Sequence, residues 1–339
     1  MTMKEGVFYK PLRGNRVQCN LCNHRCKILD GEFGICGVRK NIRGRLYSLV
    51  YGKIITAKID PVEKKPLFNF LPGSKAFSIG TVGCNFHCQH CQNFDISQYP
   101  HEHKGQIIGE DYTPEQIVAA AKAAKCETIA YTYNEPTVFY EFAYDTSILA
   151  RKAGMKNIFV SNGYLSAEAA RQIGPYLDGI NIDLKSFNDK TYMSLCGGRL
   201  KPVMETIRLM KTLGVWVEVT TLIIPGINDK EEELRNIAHF LKNIGADIPW
   251  HVTRFHPAYK LQNRSPTPLA MLRRAREIGM EEKLRYVYAG NLVDTEGENT
   301  HCYSCYALLI QRHGMVVIQN RLRNGKCPEC GTRIDGVMR

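Results

Sequence analysis

The sequence predicts an α/β protein, a partial (β/α)6 barrel of the TIM type with a small cysteine-rich metal-binding module at each end. Between residues 76 and 255 the chain alternates runs of β-branched and aromatic residues with helical segments, as parallel α/β proteins do. Most of the 13 cysteines fall into three short groups, near the start, beside the first predicted barrel strand and near the end. We therefore expect three parts: residues 1–60, 61–292 and 293–339.

The composition excludes several classes of protein. The 339 residues are 44% hydrophobic and 23% charged, which is ordinary for a soluble globular protein. No apolar run approaches the length of a membrane span, and the first residues lack the hydrophobic region of a signal peptide. We expect a cytoplasmic protein without membrane contact. In that reducing compartment, cysteines favour metal binding over disulfides, and the two ungrouped ones, Cys126 and Cys196, are expected to be small buried hydrophobes.

The net charge of +12 lies on the two cysteine-rich ends. Residues 1–60 hold 12 Lys and Arg against 4 Asp and Glu, and residues 301–339 hold 6 against 2. Such basic ends could contact an acidic protein, a phosphorylated substrate or nucleic acid. A solubilising surface that also compensates thiolate charge explains the pattern equally well.

The first cysteine group predicts a metal site with four thiolates, formed by Cys19, Cys22, Cys26 and Cys36. Three glycines interleave its last part, where the backbone must turn tightly for the sulfurs to converge. Both Zn²⁺ and an auxiliary Fe-S cluster fit such a set of ligands.

A proline-rich linker over residues 60–72, expected to be stiff and non-helical, leads from the first module into the barrel. The clearest helix start is Thr113–Gln116, with an N-cap, a proline at the first position and a capping-box partner. In parallel barrels the active site lies at the carboxyl ends of the strands. The six expected strands are residues 76–82, 128–133, 157–160, 179–184, 216–224 and 250–255.

The central motif, Cys84, Cys88 and Cys91, directly follows the first of these strands with the spacing C-x3-C-x2-C. A 4Fe-4S cube has four irons, so three thiolates leave one iron open for chemistry. The motif thus predicts a reactive cluster. The alternatives are a zinc site completed by His87 or His90, or three unrelated buried cysteines.

The last segment carries two Cys-x2-Cys knuckles, Cys302 with Cys305 and Cys327 with Cys330. Knuckles of this kind on a β-hairpin, here residues 307–310 and 315–319, predict a zinc ribbon or rubredoxin-like site that binds Zn²⁺ or Fe. The first knuckle lacks the proline and glycine of the second, which weakens its expected geometry.

The spacing C-x3-C-x2-C after a strand resembles that of radical S-adenosylmethionine (SAM) enzymes. In that superfamily SAM chelates the open iron, and an electron from the 4Fe-4S cluster breaks its sulfonium bond to give a 5′-deoxyadenosyl radical. From residue 19 to residue 337 the chain resembles one group in particular, the radical SAM enzyme of the AmmeMemoRadiSam system, a relative of pyruvate formate-lyase activating enzyme. The segments that carry this resemblance are the N-terminal cysteine set, residues 60–67, 70–74 and 78–93, and the C-terminal ribbon.

The resemblance also implies contacts to SAM at other strand ends. Glu135 and Pro136 resemble the end of a glycine-glycine-glutamate motif for the SAM amino group, with Tyr133 and Asn134 in place of the glycines. Related activases usually carry an aspartate where Val160 stands, which puts their cation site in doubt here. The expected SAM contacts are Tyr133, Glu135, Ser161, Asn162, the Asp-x-Lys pair Asp183 and Lys185, and His256.

The function implied is that of an oxygen-sensitive, anaerobic oxidoreductase whose radical abstracts hydrogen from an unidentified substrate. That substrate could be a glycine of a partner protein, as in glycyl radical enzyme activases, or a small molecule or RNA. Implied partners are an electron donor of the flavodoxin or ferredoxin type and Memo-like and AMMECR-like proteins. A different class, a zinc-stabilised nucleic-acid-binding protein without SAM chemistry, would explain the basic ends, but no stacking platform of aromatic and basic residues supports it.

Overall fold

The structure, a computed structural model, describes residues 3–290 and 295–338. The expected boundary between the barrel and the last module, at residues 292 and 293, lies outside the described residues. The strands within the described ranges are β1 Lys4–Glu5, β2 Tyr9–Leu12, β3 Arg16–Cys19, β4 Lys27–Ile28, β5 Arg39–Ile42, β6 Arg45–Ser48, β7 Lys53–Ile54, β8 Thr56–Pro61, β9 Lys75–Gly80, β10 Glu110–Asp111, β11 Thr128–Tyr131, β12 Lys156–Ser161, β13 Gly179–Asp183, β14 Trp216–Ile223, β15 Trp250–Arg254, β16 Val287–Gly290, β17 Thr300–His301, β18 Leu308–His313 and β19 Val316–Asn320.

The centre of the fold is one eight-stranded sheet in the order β16-β15-β14-β13-β12-β11-β9-β8. Strands β9 and β11 to β16 are parallel, and β8 pairs with β9 in the antiparallel direction. Each parallel strand pairs with the next one along the chain across a helical crossover, as expected for a partial barrel. The predicted α/β fold is confirmed.

Two features of the sheet differ from the sequence prediction. A seventh parallel strand, β16, follows the six that were expected. Strand β8 runs across the expected boundary between residues 60 and 61, so the first module continues directly into the main sheet. The linker after it was expected to be non-helical but contains a short 3₁₀ turn, Val62–Lys64.

The helices connect successive strands of the sheet. The capping box at Thr113 and Gln116 starts α3 as predicted, and Gly154, at φ 77°, ends α4. Across residues 3–290 and 295–338, no helix combines the length and the apolar character needed to cross a bilayer. The α-helices are α1 Phe94–Ser97, α2 Tyr99–Glu102, α3 Pro114–Ala123, α4 Tyr140–Lys152, α5 Ala167–Ile173, α6 Asp189–Cys196, α7 Leu200–Thr212, α8 Glu231–Ile244 and α9 Leu269–Glu281.

The N-terminal module packs at the carboxyl ends of the barrel strands. It consists of two small antiparallel sheets, β1-β6-β5 and β2-β3-β4, whose buried residues join the main hydrophobic core. Cys22 forms a β-bridge with Leu165, just beyond the end of β12. The Asn23 side chain donates hydrogen bonds to the carbonyls of Tyr164 and Leu165, at 3.2 and 2.9 Å.

The C-terminal module, the antiparallel sheet β17-β18-β19, packs at the opposite end of the barrel. There the linker covers the amino ends of the strands: Phe70 lies on Gly179, the first residue of β13. The buried Glu218 accepts hydrogen bonds from the backbone N–H groups of Phe68 and Asn69, at 3.0 and 2.8 Å. The linker thus covers the amino ends of these strands.

Candidate active site

The loop that carries Cys84, Cys88 and Cys91 follows β9 at the carboxyl edge of the sheet. Gly83, directly before it, has φ 90°, a conformation that a residue with a Cβ rarely adopts. A Cβ there would lie 2.4 Å from a methyl group of Val38, so the loop passes close to the N-terminal module. The position requires glycine.

Two neighbouring segments hold this loop by its backbone. The N–H groups of His87 and Gln89 donate to the carbonyls of Cys196 and Leu195, each at 2.9 Å, at the end of α6. On the other side, the N–H of Lys260 donates to the Gln89 carbonyl at 2.9 Å. Cys196, fully buried as expected of a small hydrophobe, therefore also supports the cysteine loop.

The three sulfurs of the loop do not converge on the position of a single ion. They do not all lie within 4.8 Å of one another, and no set that joins them to His87 or His90 does so within the described residues. His90 is buried, and burial followed by the charge of Lys185 lowers its pKa to about 3. The zinc alternative is not supported by this arrangement.

Polar groups surround the sulfurs. The N–H of Phe86 points to the Cys84 sulfur at 3.4 Å, and the Ser97 hydroxyl lies 3.2 Å from the sulfur of Cys91. Such donors stabilise thiolates and the clusters they bind. The three cysteines therefore fit a 4Fe-4S cluster.

Glu135 follows β11, and its side chain forms hydrogen bonds with residues at the end of β12. It is 1% exposed, and its carboxylate accepts hydrogen bonds from the Ser161 hydroxyl at 2.8 Å, from the Asn162 N–H at 2.7 Å and from Thr137. Burial raises the pKa of Glu135, and these hydrogen bonds oppose that shift. Three expected contact residues thus lie together, but the carboxylate is already engaged by protein donors.

In the turn before Glu135, one residue adopts a conformation that favours glycine. Tyr133 has φ 70°, in the left-handed region that favours glycine, and its hydroxyl donates to the Asp60 carboxylate at 2.7 Å. The Asn134 side chain donates to the Gly83 carbonyl at 2.7 Å. Tyr133 thus contacts the edge strand β8, and Asn134 contacts the residue before the cysteine loop.

Asp183 and Lys185 form an ion pair at the end of β13, with 2.8 Å between the carboxylate and the ammonium group. Burial alone would lower the pKa of Lys185, but the charges of Asp183 and Cys88 raise it well above its ordinary value. Lys185 is thus a fixed cation beside the cysteine loop. His256, by contrast, is exposed just after β15, and the structure describes no contact that brings it to the cysteines.

Sequence reasoning missed Asn85, which connects the site to its surroundings. Its side-chain oxygen accepts a hydrogen bond from Asn162 at 2.7 Å, and its carbonyl lies 2.7 Å from the ring nitrogen Nε2 of His24. The Asn162 amide is also 4.0 Å from the Cys84 sulfur. The position of Asn85 inside the cysteine motif was the available signal, but its partners are distant in sequence.

The C-terminal cysteines form a compact group. Their four sulfurs lie within 4.8 Å of one another, with 3.6 Å between Cys302 and Cys330 and 3.7 Å between Cys305 and Cys327. A Zn–S bond of about 2.3 Å gives a tetrahedral edge of about 3.8 Å, so these distances suit a single ion. The group can therefore bind a metal.

Both knuckles have the same backbone geometry despite their different sequences. The N–H of Tyr306 donates to the Cys302 carbonyl, and that of Gly331 to the Cys327 carbonyl, each at 2.9 Å. Tyr306 adopts φ 62° where the second knuckle has Gly331 at φ 73°. The expectation of weaker geometry in the first knuckle was wrong, because Tyr306 takes the left-handed conformation.

Replacing Gly198 with alanine is expected to disturb the cysteine loop. A Cβ there would lie 2.3 Å from the ring of Phe86, which is 1% exposed and sits between Cys84 and Cys88. We expect Gly198→Ala to cost about 1–3 kcal/mol of stability through overpacking. It should also lower the iron bound per chain after anaerobic reconstitution. Gly290→Ala is the control, because its Cβ meets other atoms only at 3.5 Å; equal iron content in both variants would contradict this role of Gly198.

Comparisons with known proteins agree with this geometry. The model of the radical SAM superfamily matches residues 78–241. An uncharacterized protein of Methanocaldococcus jannaschii is 46% identical over 339 residues, which cover 99% of this chain and 100% of that protein. The pyruvate formate-lyase-activating enzyme of Clostridium pasteurianum is 22% identical over 168 residues, 48% of this chain and 67% of that enzyme.

A solved structure supports the fold. The crystal structure of Streptococcus suis SuiB bound to S-adenosylmethionine matches with a TM-score of 0.51 at 12% identity, over 68% of this chain and 53% of that one. The matched family segment begins within β9 and includes the cysteine loop, Glu135 and the Asp183–Lys185 pair. The chain belongs to the radical SAM superfamily, as an enzyme related to the pyruvate formate-lyase activating enzymes.

Proposed function

We propose that this enzyme cleaves SAM reductively and abstracts a hydrogen atom from a glycine of a partner protein. One observation carries the proposal. The loop of Cys84, Cys88 and Cys91 lies beside Lys185 and Asn162 at the carboxyl end of the barrel. The three thiolates would hold a 4Fe-4S cluster. When bound, that cluster supplies the electron that breaks the sulfonium bond of SAM, and the deoxyadenosyl radical so released abstracts the hydrogen.

The side chains around the loop would hold and orient SAM. Lys185, a cation fixed by Asp183, suits the SAM carboxylate. Ser161 and Asn162 lie at the adjoining strand end, where they can reach the ribose or the carboxylate. His256 is the candidate for the adenosine.

Glu135 has a different role in this proposal. Its carboxylate is occupied by Thr137, Ser161 and Asn162, so it acts as a positioning residue for the last two. The SAM ammonium would then be bound by backbone carbonyls of the turn at Tyr133 and Asn134. Removal of the Glu135 charge would misplace both neighbours.

The C-terminal site is proposed to hold a structural Zn²⁺ ion. All four of its ligands are cysteines, which is typical of closed structural zinc sites. It lies at the end of the barrel that the linker closes, opposite the cysteine loop. A role in stability rather than in chemistry follows from that position.

A protein substrate is supported by the relative named an activating enzyme, whose name gives its target as pyruvate formate-lyase. An electron donor of the flavodoxin or ferredoxin type in the cytoplasm would supply the reducing equivalents. Memo-like and AMMECR-like proteins are the candidate partners from the family resemblance. Small molecules and RNA are the competing substrates.

Deuterium transfer tests the class of substrate. Cells of the source organism grown in D₂O with deuterated carbon sources would yield a protein fraction, a nucleic-acid fraction and a fraction of small molecules. Each is incubated anaerobically with the reconstituted enzyme, dithionite and unlabelled SAM. We expect deuterium to appear in 5′-deoxyadenosine with the protein fraction, and not with the Cys88→Ala variant. Transfer from the nucleic-acid or small-molecule fraction alone would contradict the proposal.

A further inference from the structure

The four N-terminal cysteines line one cavity, but their sulfurs do not converge on a single point. Cys19, Cys22, Cys26 and Cys36 all lie in the lining of this cavity, together with Arg39 and Asn85. Their sulfurs do not converge within 4.8 Å of one another, unlike those of the C-terminal site. A Zn²⁺ ion would require sulfurs about 3.8 Å apart, whereas a 4Fe-4S cube keeps its four thiolates farther from one another.

A buried cation lines the same cavity with unused hydrogen-bond donors. Arg39 is 2% exposed and forms an ion pair with Glu141 through Nη2. Its Nε and Nη1 atoms have no hydrogen-bond partner among the described residues. Buried donors of this kind are costly unless something accepts from them. The sulfides and thiolates of an anionic cluster would be suitable acceptors.

This cavity lies directly behind the loop of the catalytic cysteines. A Cβ on Gly83, the residue before Cys84, would lie 2.8 Å from the Cys36 carbonyl. Asn85 lines the cavity and is in contact with His24 on one side and Asn162 on the other. The two cysteine groups are therefore neighbours, separated by the backbone of residues 83–85.

From this arrangement we propose that Cys19, Cys22, Cys26 and Cys36 hold a second 4Fe-4S cluster that passes electrons to the catalytic one. Its assignment as a relay rests on the proposed SAM cleavage; the metal assignment does not. A low-potential one-electron donor protein gives one electron to this second cluster, which passes that electron to the cluster at Cys84, Cys88 and Cys91. The donor is oxidised by one electron, the catalytic cluster is reduced by one, and the second cluster returns to its starting state.

The surface of the N-terminal module suits such a donor. Residues 1–60 carry 12 Lys and Arg against 4 Asp and Glu. Exposed cations include Lys10, Arg13 and Arg16 on the hairpin β2-β3. An acidic electron-transfer protein of the flavodoxin type would be attracted to this face, and high salt would slow its reaction.

Metal analysis tests the cluster without any SAM chemistry. A variant with Cys84, Cys88 and Cys91 all replaced by serine is reconstituted anaerobically with iron and sulfide. We expect it to retain about four iron and four sulfide per chain, with an EPR signal after dithionite reduction. The double variant Cys19→Ser/Cys36→Ser keeps the three loop cysteines. We expect it to bind about four iron and four sulfide per chain fewer than the wild-type protein. If either variant fails to fold, native mass spectrometry of the wild-type protein gives the total number of clusters and zinc ions per chain directly. Two zinc ions and one cluster per wild-type chain would overturn the proposal.

The relay is tested by changing the electron source. In Cys26→Ser, we expect SAM cleavage driven by reduced flavodoxin to fall at least about ten-fold, and cleavage driven by dithionite to fall much less. Equal loss with both sources would overturn the relay. If the triple variant keeps its cluster while the wild-type protein cleaves no SAM with either source, the proposed function fails and the second cluster stands.

Discussion

Replacing Cys88 with alanine is expected to abolish SAM cleavage while leaving the protein folded. Cys88 is the central thiolate of the loop, is 8% exposed, and lies beside the charge of Lys185. With two thiolates left on the loop, the cluster loses a ligand and the reaction loses its electron source. We expect the rate of 5′-deoxyadenosine formation to fall by roughly 10³-fold or more. The measurement is anaerobic product formation per chain with dithionite in excess.

A matched control separates loss of the cluster from loss of any buried thiol. Cys126 is 6% exposed and lies just before β11, among hydrophobic neighbours and outside the three cysteine groups. Cys126→Ala should therefore retain its iron and its rate. If Cys88→Ala retained more than about a tenth of the wild-type rate, Cys88 would not be a ligand of the reactive cluster.

Replacing Arg312 with alanine is expected to cause the largest loss of stability. Arg312 is 1% exposed, and it donates hydrogen bonds to the carbonyls of Phe68 and Glu298, at 2.7 and 3.0 Å. Its Nε atom lies 3.6 Å from the carboxylate of Glu63, which is also fully buried. Removing one member of a buried ion pair leaves the other uncompensated, which costs about 3–5 kcal/mol.

Urea denaturation followed by tryptophan fluorescence measures this loss of stability, because a tryptophan lies close to the contacts of Arg312. The chain has 2 tryptophans, and the Trp216 indole donates to Glu218 at 2.9 Å, beside the linker that Arg312 holds. The control is Arg45→Ala, because Arg45 is exposed and 3.9 Å from Glu5, so its loss should cost no more than about 1 kcal/mol. Similar unfolding curves for the two variants would show that the contacts of Arg312 do not stabilise the packing of the C-terminal module against the linker and the barrel.

The sequence was most informative where local pattern determines structure. The capping box of α3 and the alternation of strands and helices depend on residues close together in the chain, and both were predictable. The seventh strand, Val287–Gly290, was not predicted. Pairing with β15 stabilises this strand, and that contact is a property of the sheet.

The parts of the site that could not be predicted depend on contacts between distant residues. Glu135 was expected to touch SAM, yet its carboxylate is bound by Ser161 and Asn162, 26 and 27 residues away. The same holds outside the site, at the other end of the barrel. There Glu218 lies inside an apolar strand, and only the folded chain brings His251, 33 residues away, to within 2.6 Å of its carboxylate. Residue type shows that a buried charge needs a partner, but not which partner it has.

The most direct test of the central claim is cleavage of SAM by the reduced wild-type protein. The chain is reconstituted anaerobically with iron and sulfide, freed of unbound metal, and given dithionite and SAM; 5′-deoxyadenosine and methionine are then quantified by liquid chromatography. We expect both products to form in equal amounts, and only in reduced samples that contain the cluster. A protein with a complete cluster at Cys84, Cys88 and Cys91 that formed neither product would contradict the central claim.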